Sequence, residues 1–382
     1  MKITVDNFEV DNDSILSFRT SVGLEERILT FSLPERFVPA NDLIALAFTT
    51  LCGTKYDEIV FDLPISRKVR KSIEGITKSS VKAPLQDLPQ SAPPSENYVL
   101  NFSGGFDSLA ALAVMPDTVK LASMDFGGAF EREAKFFSRF ETTTVKTNFR
   151  KEGFARNHWT FMGVAPILLR DYFKAHSYSF GSILEGSVWN LQRKRFANKA
   201  QPVFAAAGLR MFNPILGLTE MGAIQLLQHY SHGLAKASLE SLAAPGSEKF
   251  KRKALLFDAI ESLHSGGKIS DIQMKNITPE LKFGTNLPSD FRTLYMVKKF
   301  GIEVASLISE DIPKKVFEFT HKKSLNFYER LNPTFTQSWT TSEKIRVYSK
   351  CLDAGIDLYT EEDFEEYREC IEFLSQWHEG LI

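Results

Sequence analysis

The stretch Asn97–Ala113, NYVLNFSGGFDSLAALA, decides how the chain folds. Tyr98 to Phe102 is an apolar run with the length of a buried strand, and after a polar turn Leu109, Leu112 and Ala113 recur at helical spacing. Between the two, Gly104 and Gly105 carry no Cβ, so the backbone can take a positive φ and come close to a ligand. Loop N–H groups and the helix start then face an anion, which makes the turn a phosphate cradle. Ser103 and Ser108 add hydroxyl donors, and Asp107 adds a carboxylate that would repel phosphate unless a divalent cation lay between them, which points to Mg²⁺. The competing reading is an ordinary turn in which Ser103 or Asp107 is only an N-cap. No Gly-Lys-Ser/Thr follows a glycine-rich loop, so a Walker-type kinase or GTPase is disfavoured.

At 382 residues, 43% hydrophobic and 24% charged, the chain has the composition of a soluble globular protein with two or three domains. A net charge of −1 argues against a general nucleic-acid-binding field. Cys52, Cys351 and Cys370 stand far apart with no CxxC pair, which offers neither a disulfide framework nor a thiolate zinc site and fits a reducing cytoplasm. The amino terminus has no signal-like apolar core, and no apolar run is long enough to span a bilayer, so no membrane association is expected.

In chain order, residues 1–78 predict a small α+β domain: strands at Ile3–Val5, Ile15–Phe18 and Arg27–Phe31, a helix capped by Asn41, and a strand at Glu58–Leu63. Arg67, Lys68, Arg70 and Lys71 form a basic cluster, more simply a solvated helix face than an RNA contact. A Pro/Ser-rich linker follows over 79–96. From the Ser103 loop onward, a strand at Thr118–Phe126, a helix at Glu131–Phe140 and a strand at Thr142–Phe149 complete a βαβαβ alternation. That order predicts an α/β fold with a parallel sheet and a ligand at the carboxyl ends of its strands. Asp125, at the end of the second strand before Gly127 and Gly128, could hold a ribose or an adenine edge, or simply make a turn. A long helix over Trp159–Ala175 and a strand at Tyr178–Leu184 are expected next, and the chain beyond Pro279 is mainly helical.

Several elements then fall in a specific order: SGGFDS, MDFGGAFEREA, Arg156-Asn157 before a helix, a strand reaching Gly181, and Phe212-Asn-Pro-Ile-Leu-Gly-Leu-Thr219-Glu220. Over roughly residues 97–233 this order resembles the 7-cyano-7-deazaguanine synthase (QueC-like) branch of the PP-loop ATP pyrophosphatases. The resemblance implies a PP-loop, HUP-type domain, assigned to 97–270; the helical spacing assigns 271–382 to a helical C-terminal region. It implies an ATP- and Mg²⁺-dependent ligase-like enzyme that activates a carboxylate or amide oxygen as an adenylate and releases pyrophosphate. Ser103, Gly104, Gly105, Asp107 and Ser108 carry over to the pyrophosphate site, with Asp107 also as metal ligand and Phe102 as a further nucleotide-binding residue. Asp125, Phe126 and Gly127 carry over to the adenosine side, and Arg156, Asn157 and Gly181 line the cleft. Ser103, Asp107 and Arg156 are the expected catalytic residues. QueC-like proteins with added domains also resemble components of bacterial anti-phage systems, with a protein or nucleic-acid partner and an acceptor that the resemblance leaves unidentified.

Two departures stand out. Glu220 occupies the place of a family lysine, so a cation near the phosphates must come from elsewhere; Arg193-Lys194-Arg195 with Lys199 is the obvious substitute, closing over a triphosphate or contacting an anionic macromolecule, and reads equally well as a solvated surface loop. The family's four-cysteine zinc site is absent, so no zinc is expected; His229 and His232, three apart, lack further ligands. His158 is a candidate for proton transfer, though a structural hydrogen bond at a helix start is the simpler role. Phe317, Phe319, Phe327, Tyr328 and Phe335 beside Lys322, Lys323 and Arg330 could stack a nucleic acid, but core packing explains them more simply. A tRNA-modifying PP-loop ligase and an ATP-binding sensor or scaffold without turnover are the rival functions.

Overall fold

Alternation of apolar and polar residues in the first eighty positions is realised as one mixed sheet. In the computed structural model, which describes residues 1–87, 97–192, 200–266, 278–279 and 281–379, this sheet contains β1 (Lys2–Val10), β2 (Ile15–Val22), β3 (Glu25–Ser32), β4 (Glu58–Phe61) and β5 (Ser80–Lys82). The order is β3-β2-β1-β4-β5, with antiparallel β1–β2 and β2–β3 pairs and parallel β1–β4 and β4–β5 pairs. Alternate residues in the middle of these strands, among them Ile3, Val5, Leu16, Phe18, Leu29, Phe31, Ile59 and Phe61, are buried. The helix Asn41–Thr49 begins at the expected cap residue itself: Ala40, one position earlier and in extended conformation, is the N-cap, and no side chain caps the helix. Asp42 instead accepts from the Ser66 N–H at 2.8 Å, and Ser66 caps the helix Arg67–Thr77 by accepting from the Val69 N–H. Val69, Ile73 and Thr77 form that helix's buried side, while Arg67, Lys68 and Lys71 are exposed. The expected linker is shorter than its composition suggested, because β5 completes the sheet; residues 88–96 lie outside the described residues.

A second sheet is all parallel: β6 (Asn97–Asn101), β7 (Lys120–Asp125), β8 (Thr142–Lys146), β9 (Ala175–Ser179) and β10 (Arg210–Met211), in the order β10-β9-β6-β7-β8. Taken in chain order these five strands run 5-4-1-2-3, the doubly wound pattern, and the order reverses between β6 and β9. The two sheets meet at β3 and β8. Phe31 bridges Thr147, the Lys146 N–H donates to Ser32 Oγ at 2.7 Å, and the Asn148 amide accepts from the Thr30 N–H at 3.0 Å and donates to the Ile28 carbonyl at 2.8 Å. One apolar core runs through both, from Ile3 and Phe18 to Val99, Val145, Phe149 and Tyr178.

Two expected elements differ. The segment Trp159–Ala175 is not one helix but a 3₁₀ turn (Trp159–Gly163) and two short helices (Val164–Leu168 and Arg170–Phe173). Pro166 lacks the N–H that would bond one turn back, and Lys174 ends the run in the left-handed region at φ 50°. The strand expected at Tyr178–Leu184 runs instead over Ala175–Ser179, and Gly181, at φ 63°, turns the chain away.

The chain divides into two compact units, Met1–Ser103 with Pro116–Phe180 and Lys199–Phe212, and Gly104–Met115 with Gly181–Asn198 and Asn213–Ile382. Both sheets belong to the first. The second is helical: Phe106–Val114 packs on Glu220–Ser231, which packs on Glu248–Ser265, and the helices Leu287–Ala305 (broken by a kink at Gly301), Lys314–His321, Thr341–Asp353 and Glu361–Leu374 follow. Phe291, Tyr295, Phe327, Tyr328 and Tyr367 form a buried aromatic core, so most of the C-terminal aromatic residues pack inward. Thr340 and Glu343 form a capping box at the start of Thr341–Asp353. Among the described residues no helix is long and apolar enough to cross a membrane.

Candidate functional site

Within the helical unit, the glycine-rich turn is fixed from behind. Gly104 takes φ 74°, and its carbonyl accepts from the buried Ser238 hydroxyl at 2.6 Å. Gly105 is the N-cap of Phe106–Val114, and no side chain caps that helix; the Ser108 hydroxyl donates to the Gly105 carbonyl at 3.0 Å. Gly181 belongs to the same wall. A Cβ there would lie 3.2 Å from the Asp107 carbonyl oxygen, 3.2 Å from Ser108 Cα and 3.3 Å from Ala111 Cβ, so glycine lets this segment lie against the first turn of the helix.

Behind that turn is a cluster of buried charges. Thr219 caps Glu220–Ser231 through the Met221 and Gly222 N–H groups. The Glu220 carboxylate lies 2.8 Å from the Lys253 ammonium and is also paired with Arg292. Lys253 lies 3.7 Å from Asp107 Oδ1, beyond hydrogen-bond range, and 5.4 Å from the centre of the Phe106 ring. Asp107 is partly exposed, but its Oδ1 is buried and has no hydrogen-bond partner. Glu185 accepts the Glu220 N–H at 3.1 and 3.2 Å on its two oxygens.

Electrostatics differ sharply among these carboxyls. Burial opposes ionisation of Glu220, yet Lys253, Arg292 and Arg252 hold it well below the usual carboxylate range. Burial, with Glu220 adding to it, pushes Glu185 up to about 8, so this carboxyl is protonated at neutral pH. Asp107 is raised by burial and by Glu220, against the pull of Lys253. Burial would lower Lys253, but Asp107 and Glu220 raise it above the usual lysine value.

In the sheet-bearing unit, Phe102 is a core residue. Its N–H donates to the Ala122 carbonyl at 2.8 Å, its carbonyl accepts from Ser123 Oγ at 2.8 Å, and its ring packs on Phe140 at 4.7 Å. Ser103 is half-buried at the end of that strand segment. Asp125 accepts the Gly127 N–H at 2.8 Å, and Gly127 adopts φ 67° with ψ −179°, a backbone state essentially restricted to glycine. Phe126 packs among Phe130, Phe149 and Phe161, with the Arg150 guanidinium 5.2 Å from its ring. Arg156 is exposed at the end of a 3₁₀ turn. The Asn157 amide donates to the Leu51 carbonyl at 2.7 Å and so ties this turn to the end of the first helix. His158 accepts the Thr160 N–H as a 3₁₀ cap, the structural role that the sequence favoured.

Arg193, Lys194, Arg195 and Lys199 lie outside the described residues. The cations found beside Glu220 are instead Lys253 and Arg292, neither singled out from sequence. Both carried a signal, since Lys253 shares its helix stripe with Leu256 and Ile260, and Arg292 stands between Phe291 and Leu294. A charge on an apolar face must find a buried partner. His232 pairs with Glu261 at 3.1 Å, and among the described residues no cluster of three or more His, Cys, Asp or Glu side chains is gathered for a metal. No family model, curated protein or solved structure matches the chain.

Proposed function

We propose that this chain is an ATP-dependent adenylating enzyme of the PP-loop, QueC-like kind, cleaving ATP to AMP and pyrophosphate. One observation carries the reading: within the helical unit the glycine-rich turn, with Gly104 at φ 74° and its carbonyl held by the Ser238 hydroxyl, opens the helix Phe106–Val114, whose N-cap is Gly105. A glycine-rich turn that opens a helix in this way suits a di- or triphosphate.

In this reading a carboxylate or amide oxygen of the substrate attacks the α-phosphorus. The bond from the α-phosphorus to its bridging oxygen breaks, the electron pair leaves with pyrophosphate, and a nucleophile later displaces AMP from the adenylate. The protein's part is to hold the leaving group and stabilise its charge rather than to form a covalent bond. Asp107 Oδ1, buried and without a hydrogen bond, suits a hard divalent cation, whose other ligands would be substrate oxygens and water. Mg²⁺ bound there would offset charge on the phosphates.

A second reading, nucleotide binding without turnover, draws on Glu220, whose carboxylate is already paired with both Lys253 and Arg292. The two separate in one assay. Purified protein and its Asp107→Ala variant are incubated with α-labelled ATP, Mg²⁺ and pooled carboxylate, amide and amine acceptors. Adenylation expects labelled AMP from the wild type and its loss in the variant. Release of ADP, or AMP formation that the variant leaves intact, refutes it. ATP binding with no product under any acceptor favours the sensor.

A further inference from the structure

Lys253 is 9% exposed, yet it is held by charge rather than by a closed set of hydrogen bonds. An ammonium has three donors. The 2.8 Å contact to Glu220 engages one, and Asp107 at 3.7 Å is near enough to attract but too far to bond. Lys253 therefore lies between a deep anchor and a carboxylate on the first turn of the helix that the glycine-rich loop opens. Glu220 is secured independently. Arg292 pairs with its other oxygen, and its own N–H donates to Glu185, a carboxyl that burial keeps neutral. Arg292 is itself enclosed, 7% exposed, whereas Lys253 is a point charge on a flexible four-carbon stem.

On the adenylation reading, we propose that Lys253 is the cation that meets the departing pyrophosphate, with Glu220 as its anchor and Arg292 fixing Glu220. Arrival of the phosphate chain draws Lys253 off Asp107 and frees that carboxylate for a divalent cation. As they stand, Lys253 faces Asp107 as a counter-ion before any ligand arrives, and Lys249 and Arg252 add positive charge around the cluster. Glu220, which opposes phosphate if considered alone, becomes the group that aims a cation at it. Lys253 is thus assigned a binding role and Glu220 and Arg292 positioning roles.

The test uses the full chain and calorimetric titration with inorganic pyrophosphate, ATP and adenosine, together with Mn²⁺ binding followed by electron paramagnetic resonance. Lys253→Met keeps the volume of the stem and leaves Glu220 paired with Arg292. It is expected to weaken pyrophosphate binding about tenfold or more, leave adenosine binding unchanged, and strengthen binding of Mn²⁺ alone, because Asp107 loses its internal counter-ion. Lys253→Arg serves as a second variant should the first fail to fold. Its planar fork pairs with Glu220 but follows a phosphate less readily, so pyrophosphate affinity falls while the circular dichroism spectrum is retained. Unchanged pyrophosphate affinity in a folded variant, or equal losses for pyrophosphate and adenosine, overturns the assignment of Lys253 and leaves the adenylation reading standing. A wild-type chain that binds neither ATP nor pyrophosphate overturns both.

Discussion

Replacing Glu220 by glutamine keeps the shape of the side chain and removes one charge from a site where the Glu220, Lys253 and Arg292 side chains are 5%, 11% and 8% exposed. At an effective dielectric of about 20, unit charges at the 2.8 Å Lys253–Glu220 separation attract by about 6 kcal/mol. Part of that attraction only offsets desolvation the charges have already undergone, so the measured loss is smaller. Leaving buried charges without their partner typically costs about 3–5 kcal/mol, the loss expected for Glu220→Gln. With a slope of about 3 kcal/mol per molar urea, the midpoint falls by more than about 1 M. Circular dichroism during urea unfolding reads this directly. A companion variant, Glu220→Leu with Lys253→Met and Arg292→Met, removes the charges together and is expected to regain at least half of the loss, since apolar groups of similar volume replace buried ion pairs at little cost. A loss below about 1 kcal/mol for Glu220→Gln, the size typical of a surface pair, would refute a desolvated cluster.

Glu185 makes stability depend on pH in the opposite sense to an ordinary paired carboxylate. Its value is raised from 4.5 to about 8, so between those limits the folded chain holds a proton that the unfolded chain has lost. Its contribution is complete below about pH 4.5 and falls by up to about 1.4 kcal/mol per unit as pH rises toward 8. Glu185→Gln is expected to flatten that slope in urea titrations between pH 5 and 8; superimposable profiles would contradict the assignment. Gly181→Ala puts a Cβ 3.2 Å from the backbone of Asp107 and Ser108 at a φ of 63°, and should cost about 1–3 kcal/mol in thermal melts while lowering pyrophosphate affinity. Wild-type values for both would show that the wall tolerates a methyl group.

The α/β class was legible because period-two and helical spacing changed abruptly at Ser103, and both β6 and the helix Phe106–Val114 follow that change. Strand order was not. That β9 lies beside β6, and β10 beyond it, depends on pairings between residues far apart in the chain, such as Leu100 with Ser179. The Trp159–Ala175 segment was misjudged because apolar spacing outweighed Pro166, whose missing N–H decides the local geometry. At the candidate site, the glycines announced themselves through their neighbours in sequence. Around Lys253 and Arg292 the apolar spacing signals burial but not the partner, and for Glu185 neither is visible, because the partner of all three is Glu220, 33, 72 and 35 positions away in the chain.

The seam between β3 and β8 has one more consequence. Asn148 uses its side-chain amide as a short stretch of imitation backbone, accepting from Thr30 and donating to Ile28, where strand pairing would otherwise stop. A polypeptide shortened to begin at Asn97 would keep every strand of the parallel sheet but lay bare the outer margin of β8, with Thr147 and Asn148 seeking new partners. Uncovered margins of that kind recruit strands from other molecules. The amino-terminal sheet therefore acts as a built-in edge guard, and trimming it is expected to yield a sticky protein rather than a smaller functional one.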